Sequence, residues 1–229
     1  MADYCITTLS CGKKYNEYLK KNLLSSEKIL DDDVDVFVTT DEPDFFNDIK
    51  IKGRANLIVK KFSPEPKLPD VRSKSKKTWF NYHQKRLAIE NAFNSGYNKI
   101  FYIDSDIKII NWDKDFFLKK EKGFWFRTML SRDQHIEKYK LYDTLYNVDM
   151  WHYYRPVSEK IMYINECADK IRGFISVWKH LEIISQGKVN PYSEGHEILI
   201  SLRFNGASVN RYKPDPFKGE SKYFEDAHL

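Results

Sequence analysis

Of the 229 residues only three are cysteine, at Cys5, Cys11 and Cys167, and no two form a CxxC pair. This spacing excludes a small disulfide-stapled scaffold and predicts reduced thiols, as in a cytoplasmic protein. Long hydrophobic runs are also missing, and none approaches a membrane span. The opening "MADYCITTLS" lacks a basic segment followed by a long apolar stretch, so no signal peptide is expected and the protein is expected to be soluble. A strong excess of one sign of charge is missing too. The formal net charge is +5, too weak and too dispersed to announce nucleic acid, although it favours an anionic partner such as a phosphate-bearing small molecule. There is no internal repeat and no linker that would split the chain.

What is present is a chain long enough to bury a core without staples, unusually rich in aromatics: 15 Tyr, 15 Phe and 5 Trp. Its first half alternates in period. "YCITTLS" (4–10), "DVDVFVTTD" (33–41), "NLIVKKF" (56–62) and "KIFYID" (99–104) read as strands. Between them, "KKYNEYLKKNLLSSEKIL" (13–30) and "WFNYHQKRLAIENAFNSGY" (79–97) carry apolar residues at helical spacing, the second closed by Gly96. Strand–helix alternation predicts a single α/β domain, a largely parallel sheet with helices on both faces. Residues 1–110 would form a first, regular half of that domain and 111–229 a second, less regular half. In the second half "GFWFR" (123–127) and "GFISVW" (173–178) read as strands, while "SEKIMYINECADKI" (158–171), "WKHLEIISQG" (178–187) and "EGHEILISLRFNG" (194–206) read as helices. The segment "SPEPKLPDVRSKSKKT" (63–78) reads as a mobile loop, and 212–229 as a surface stretch.

The chemistry concentrates at the end of the fourth strand, in "FYIDSD". Residues two apart in an extended chain face the same side, so Asp104 and Asp106 can share one cleft with Ser105 turned away. Close carboxylates repel unless a cation sits beside them. Mn2+ and Mg2+ suit such oxygen donors and bind substrate phosphate as well. The competing reading of Asp-Ser-Asp is an ordinary turn after a strand. In doubly wound sheets ligands bind beyond the carboxyl ends of the strands, which brings the 7–12 and 39–41 segments into the same cleft.

An apolar strand ending in D-x-D resembles the GT-A glycosyltransferases, a Rossmann-like fold. It resembles in particular the retaining α-galactosyl and N-acetylgalactosaminyl transferases of glycosyltransferase family 6, and also small viral and bacterial GT-A enzymes. "DVDVFVTTDEP" resembles that family's strand ending in Phe-Thr-Asp, "YYRP" (153–156) its Tyr-Glu-Arg-Arg stretch, "RGFISVWKHL" its Phe-Phe-Gly-Gly segment and "GHEILISL" its His-Asp-Glu helix. Ile175-Ser176 stands where the Gly-Gly pair would be. The resemblance implies a hexosyltransferase that moves a sugar from a nucleotide sugar, a UDP-sugar, to a carbohydrate acceptor. It implies Thr8, Ser10 and Cys11 along the nucleoside, Asp41 near uracil or ribose, Arg86 near the donor phosphates and Asp104 and Asp106 as metal ligands. It also implies His228 as a third ligand and Glu197 beside the anomeric carbon, with retention of configuration.

Two rival readings differ in class. A sugar-1-phosphate nucleotidylyltransferase would need a Gly-rich, Arg-containing loop after the first strand, and "TLSCGKKY" has one Gly and no Arg. A non-catalytic carbohydrate- or nucleotide-binding module would use the aromatics for stacking but has no need of two aspartates on one strand end.

Overall fold

The computed structural model describes residues 4–26, 29–30, 34–49, 57–61, 84–127, 157–158, 160–185, 194–218 and 222–227. The segments 63–78 and 153–156 and the residues Trp79, His83, His135, Trp151, His152 and His228 lie outside them.

The described residues form a mixed α/β unit around one seven-stranded sheet. The strands are β1 (Cys5–Ser10), β2 (Asp35–Thr40), β3 (Leu57–Lys61), β4 (Lys99–Ile103), β6 (Gly123–Phe126), β7 (Ile161–Asn165) and β8 (Val209–Arg211). Their spatial order is β3-β2-β1-β4-β7-β6-β8. Strands β1 to β4 run parallel to one another, β7 runs antiparallel to both β4 and β6, and β8 is parallel to β6. A separate pair joins β5 (Ile107–Ile109) to β9 (Phe224–Asp226), antiparallel. The helices are α1 (Lys13–Ser26), α2 (Lys85–Asn94), α3 (Lys114–Leu118), α4 (Ala168–Ser185) and α5 (Glu194–Phe204).

All six residues of β1 and of β2 are buried, as befits parallel strands covered on both faces. Alternate residues feed two cores. Cys5, Leu9, Phe37, Ile100, Tyr102, Met162 and Ile164 pack with Ala88, Ile89 and Ala92 of α2, Phe174 and Trp178 of α4, and Leu199 and Leu202 of α5. On the other face Ile6, Val36, Val38, Phe101, Ile103, Ile161 and Tyr163 pack with Leu19 and Leu23 of α1, Phe117 of α3 and Phe224 of β9. Phe101 sits with Trp112, Phe117 and Phe224 around it, ring centroids 5.1, 5.4 and 6.1 Å away. Those contacts anchor the small β5–β9 pair under the end of β4. Helices α2 and α5 are each followed by a glycine at positive φ, Gly96 at 98° and Gly206 at 58°, the conformation glycine adopts without steric cost.

Three expectations for the second half are corrected. Residues 173–178 lie inside α4, not in a strand: Ile171, Phe174, Ile175, Trp178 and Leu181 are buried at helical spacing along one face. Residues 161–165, expected to be helical, form β7, with Met162 and Ile164 in one core and Ile161 and Tyr163 in the other. Nor does 212–227 simply cover the surface, since Tyr212, Tyr223 and Phe224 are buried and β9 pairs with β5. Among the described residues, no helix is long and apolar enough to cross a membrane.

Candidate functional site

From β1 the chain moves outward through β2 to β3 on one side, while β4 lies on the other side of β1. The gap outside the carboxyl ends of β1 and β4 is therefore a topological switch point, the place where such sheets leave a crevice for ligands. Tyr102 pairs with Thr7, so β4 ends beside the last residues of β1 and its next residue is Asp104.

Asp104 to Ile107 form a tight turn, closed by the Ile107 N–H donating to the Asp104 carbonyl oxygen at 3.1 Å. The two carboxylates do share an environment with Ser105 turned inward, but a turn brings this about and not an extended chain: Ser105 is buried while Asp104 and Asp106 are half-buried. The turn is held from three directions. The buried Asn22 of α1 donates from Nδ2 to the carbonyl oxygens of Ser105 (2.9 Å) and Ile107 (3.1 Å). The Asp104 N–H donates to the Lys160 carbonyl oxygen at 3.0 Å, just before β7. The Ala227 N–H, just after β9, donates to the Asp106 carbonyl oxygen at 2.7 Å.

The Asp104 carboxylate faces Lys85, the first residue of α2, at 2.9 Å. It also accepts from the Tyr102 hydroxyl at 2.8 Å. Burial pushes the Asp104 carboxyl up to about 6. Lys85 and the Tyr102 hydroxyl oppose that rise, and the charge of Asp106 adds to it. The charge of Asp106 is thus felt at the Asp104 carboxyl, which shows that the two acids lie close enough to interact.

The adjoining loops carry a polar network. Ser10 Oγ donates to Asn16 Oδ1 at 2.6 Å, Thr40 Oγ1 donates to the same oxygen at 3.3 Å, and Asn16 Nδ2 donates to Glu42 at 3.0 Å. Asp41 accepts from the Gly12 N–H (3.1 Å) and from the Cys11 thiol (3.2 Å), which joins the ends of β1 and β2. Cys11 and Asp41 are half-buried at the crevice, while Thr8 and Ser10 are buried within the sheet.

No family model matches the chain, and no curated protein matches its sequence.

The remaining candidates have their own surroundings or lie outside the described residues. Arg86 is buried, its guanidinium held by Glu182 of α4 at 2.8 Å and by Glu90 one turn along α2. Glu197 is completely buried on α5. His228 lies outside the described residues and follows Ala227 in the chain. Sequence reasoning tied neither Lys85 nor Asn22 nor Lys160 to the acids. Lys85 had a local signal, a cation at the start of the helix that follows the basic loop, but the neighbouring Arg86 drew the phosphate-binding role. Asn22 and Lys160 had none, because their contacts to the turn span 83 residues and 56 residues of chain.

The donor set fits a hard divalent cation. Two carboxylates share a confined turn beyond the end of β4, offer oxygen only, and interact with each other electrostatically. Among the described residues, no three His, Cys, Asp or Glu side chains gather as a metal-binding group, so further ligands would come from water, from substrate phosphate or from outside those residues.

Proposed function

We propose that this protein is a metal-dependent glycosyltransferase that moves a sugar from a nucleotide sugar, a UDP-sugar, to a carbohydrate acceptor. The observation that carries the reading is the Asp104–Ser105–Asp106 turn at the switch point, with Lys85 beside it. A donor diphosphate needs positive charge where its leaving oxygen develops, and an acidic turn that gathers cations meets that need.

Asp104 and Asp106 would hold Mn2+ or Mg2+, which when bound supplies Lewis-acid stabilisation of the departing diphosphate. Lys85 adds a fixed ammonium beside that position. The Gly12 N–H and Cys11 fix Asp41 at the edge of the crevice, where its carboxylate can meet the nucleoside. Asn22 holds two carbonyls of the turn, so the acids need not reorganise when the donor arrives. Glu197 is assigned to the anomeric centre on the family resemblance alone.

The test is a panel of nucleotide sugars incubated with and without Mn2+, the released nucleotide being identified. UDP released from one donor only with metal, and lost in Asp106→Asn at unchanged thermal stability, is the expected result. Metal-independent release, or a double variant combining Asp104→Asn with Asp106→Asn that turns over like the parent, would remove the proposal.

A further inference from the structure

The acidic turn is gripped at both ends by residues that also grip each other. Asp104 donates its N–H to the carbonyl oxygen of Lys160, 3.0 Å away. The Lys160 ammonium pairs with Asp226 of β9, Nζ to Oδ1 2.6 Å. Asp226 is followed by Ala227, whose N–H donates to the Asp106 carbonyl oxygen at 2.7 Å. Asp226 is also the register partner of Ile107, the residue that closes the turn. The chain of contacts thus runs from Asp104 through Lys160, Asp226 and Ala227 to Asp106 and closes on itself.

We propose that the Lys160–Asp226 ion pair is a positioning device for the two carboxylates, locking β9 against the start of β7 so that Asp104 and Asp106 are held at one separation for a divalent cation. The inference rests on the reading of this turn as a metal site.

Stability alone gives the pair little to do. The two side chains are 39% and 27% exposed, and ion pairs at such exposure contribute little to folding. β9 is already fixed by the fully buried Phe224 and by its ladder with β5. Lys108 and Lys222 reach Glu225 on the same strand at 3.4 and 3.2 Å. What the Lys160–Asp226 pair adds is specific in place: of these contacts, it joins the two backbone segments that donate to and accept from the acids themselves. Partners that orient metal ligands without touching the metal typically change metal affinity by about 10–100-fold when removed; this pair acts one step further out, through the backbone of Lys160 and Ala227, so the lower end of that range applies.

The experiment measures Mn2+ affinity in the presence of UDP, from the free-ion electron paramagnetic resonance signal, together with thermal unfolding. The full chain is compared with Lys160→Met, Asp226→Asn, Lys160→Arg and, as a distant control, Arg172→Met, which breaks the exposed Arg172–Asp169 pair. Lys160→Met and Asp226→Asn should each weaken Mn2+ about tenfold or more, with melting shifts below about 4 °C. Lys160→Arg should keep parental affinity, and so should Arg172→Met. Parental affinity in both Lys160→Met and Asp226→Asn would overturn the positioning role and leave the metal site standing. A parent chain that binds no Mn2+ would overturn the metal reading itself, and this inference with it.

Discussion

Lys85 Nζ lies 2.9 Å from one carboxylate oxygen of Asp104 and 3.1 Å from the other, so a single ammonium spans both oxygens of the acid that ends β4. Burial still pushes this carboxyl up to about 6, with Lys85 opposing and Asp106 adding to the rise. In metal-free protein the Asp104 carboxyl should therefore titrate near pH 6, read from its carbon-13 shift. Lys85→Met should move that titration up, and Asp106→Asn should move it down. The sign for stability follows. The folded protein holds this proton more tightly than the unfolded chain, whose value is 3.8. The contribution is present in full below about pH 4 and is lost as pH rises through about 6, by at most about 3 kcal/mol. An Asp104 that titrates below pH 4, or that ignores both substitutions, would contradict this electrostatic account.

Arg86 stands next to Lys85 and is engaged by acids of α2 and α4. Its side chain is 5% exposed and tied to Glu182 and Glu90. Removing one member of such a buried set strands the others, at a cost of about 3–5 kcal/mol. Arg86→Met should lower the urea midpoint by that measure and leave UDP affinity within about twofold. If the variant instead kept its stability and lost UDP, the guanidinium would belong to the donor phosphates after all.

Legibility in the sequence followed the range of the interactions. β1, β2 and β4 were readable because each is a short apolar run that ends in polar residues, and their ends are what build the crevice. The acidic pair was readable because D-S-D after such a run is a local pattern; its turn was not, because the contacts that hold it come from Asn22, Lys160 and Ala227, far away in the chain. Residues 173–178 of α4 look like a strand because "GFISVW" is rich in β-branched and aromatic residues, which masks the helical spacing of Ile171, Phe174, Ile175, Trp178 and Leu181. β7 was misread for the opposite reason. It is buried on both faces, so its "IMYI" shows no polar alternation to mark it as a strand. β5 and β9 are three residues each and pair across more than a hundred residues of chain; nothing local announces either.

Gly173 tests the packing of α4 on α5. A Cβ there would run into Oδ1 of Asn205 and come within 2.9 Å of its Cγ. That side chain is already engaged, donating to the Lys170 carbonyl oxygen, while the Lys170 ammonium donates to the carbonyl oxygens of Asn205 (2.7 Å) and Gly206 (2.9 Å) at the end of α5. Gly173→Ala should destabilise by about 1–3 kcal/mol, even though alanine favours a helix interior by about 1 kcal/mol. In an Asn205→Ala background the obstruction is gone, so the same substitution should become stabilising by up to about 1 kcal/mol. Urea unfolding of the four chains decides it: a Gly173→Ala effect of one sign in both backgrounds would mean that Asn205 is not what the glycine accommodates.

Glu197 enters the proposed chemistry through the family resemblance, and its place in the fold makes that role testable. Its side chain has no solvent exposure, it lies in the first turns of α5, and its backbone carbonyl oxygen accepts from Ser201 Oγ at 2.7 Å. Its neighbours Ile198, Leu199 and Leu202 belong to the core shared with α4 and the sheet. Glutamine keeps the size of the side chain and removes its charge, so Glu197→Gln separates two roles that the geometry alone leaves joined. If the carboxylate serves the sugar, turnover should fall by about 100-fold or more, while UDP and Mn2+ affinity stay within about twofold, because the residue has no part in holding the diphosphate. Melting should change little, since burying an amide costs less than burying a carboxylate. The product anomer, read by proton NMR, then addresses stereochemistry: retention agrees with the resemblance to family 6, and inversion would discard that family while sparing metal-dependent transfer. Normal turnover in Glu197→Gln would return the residue to a purely structural part in α5 and leave the acid at the anomeric centre to be sought elsewhere.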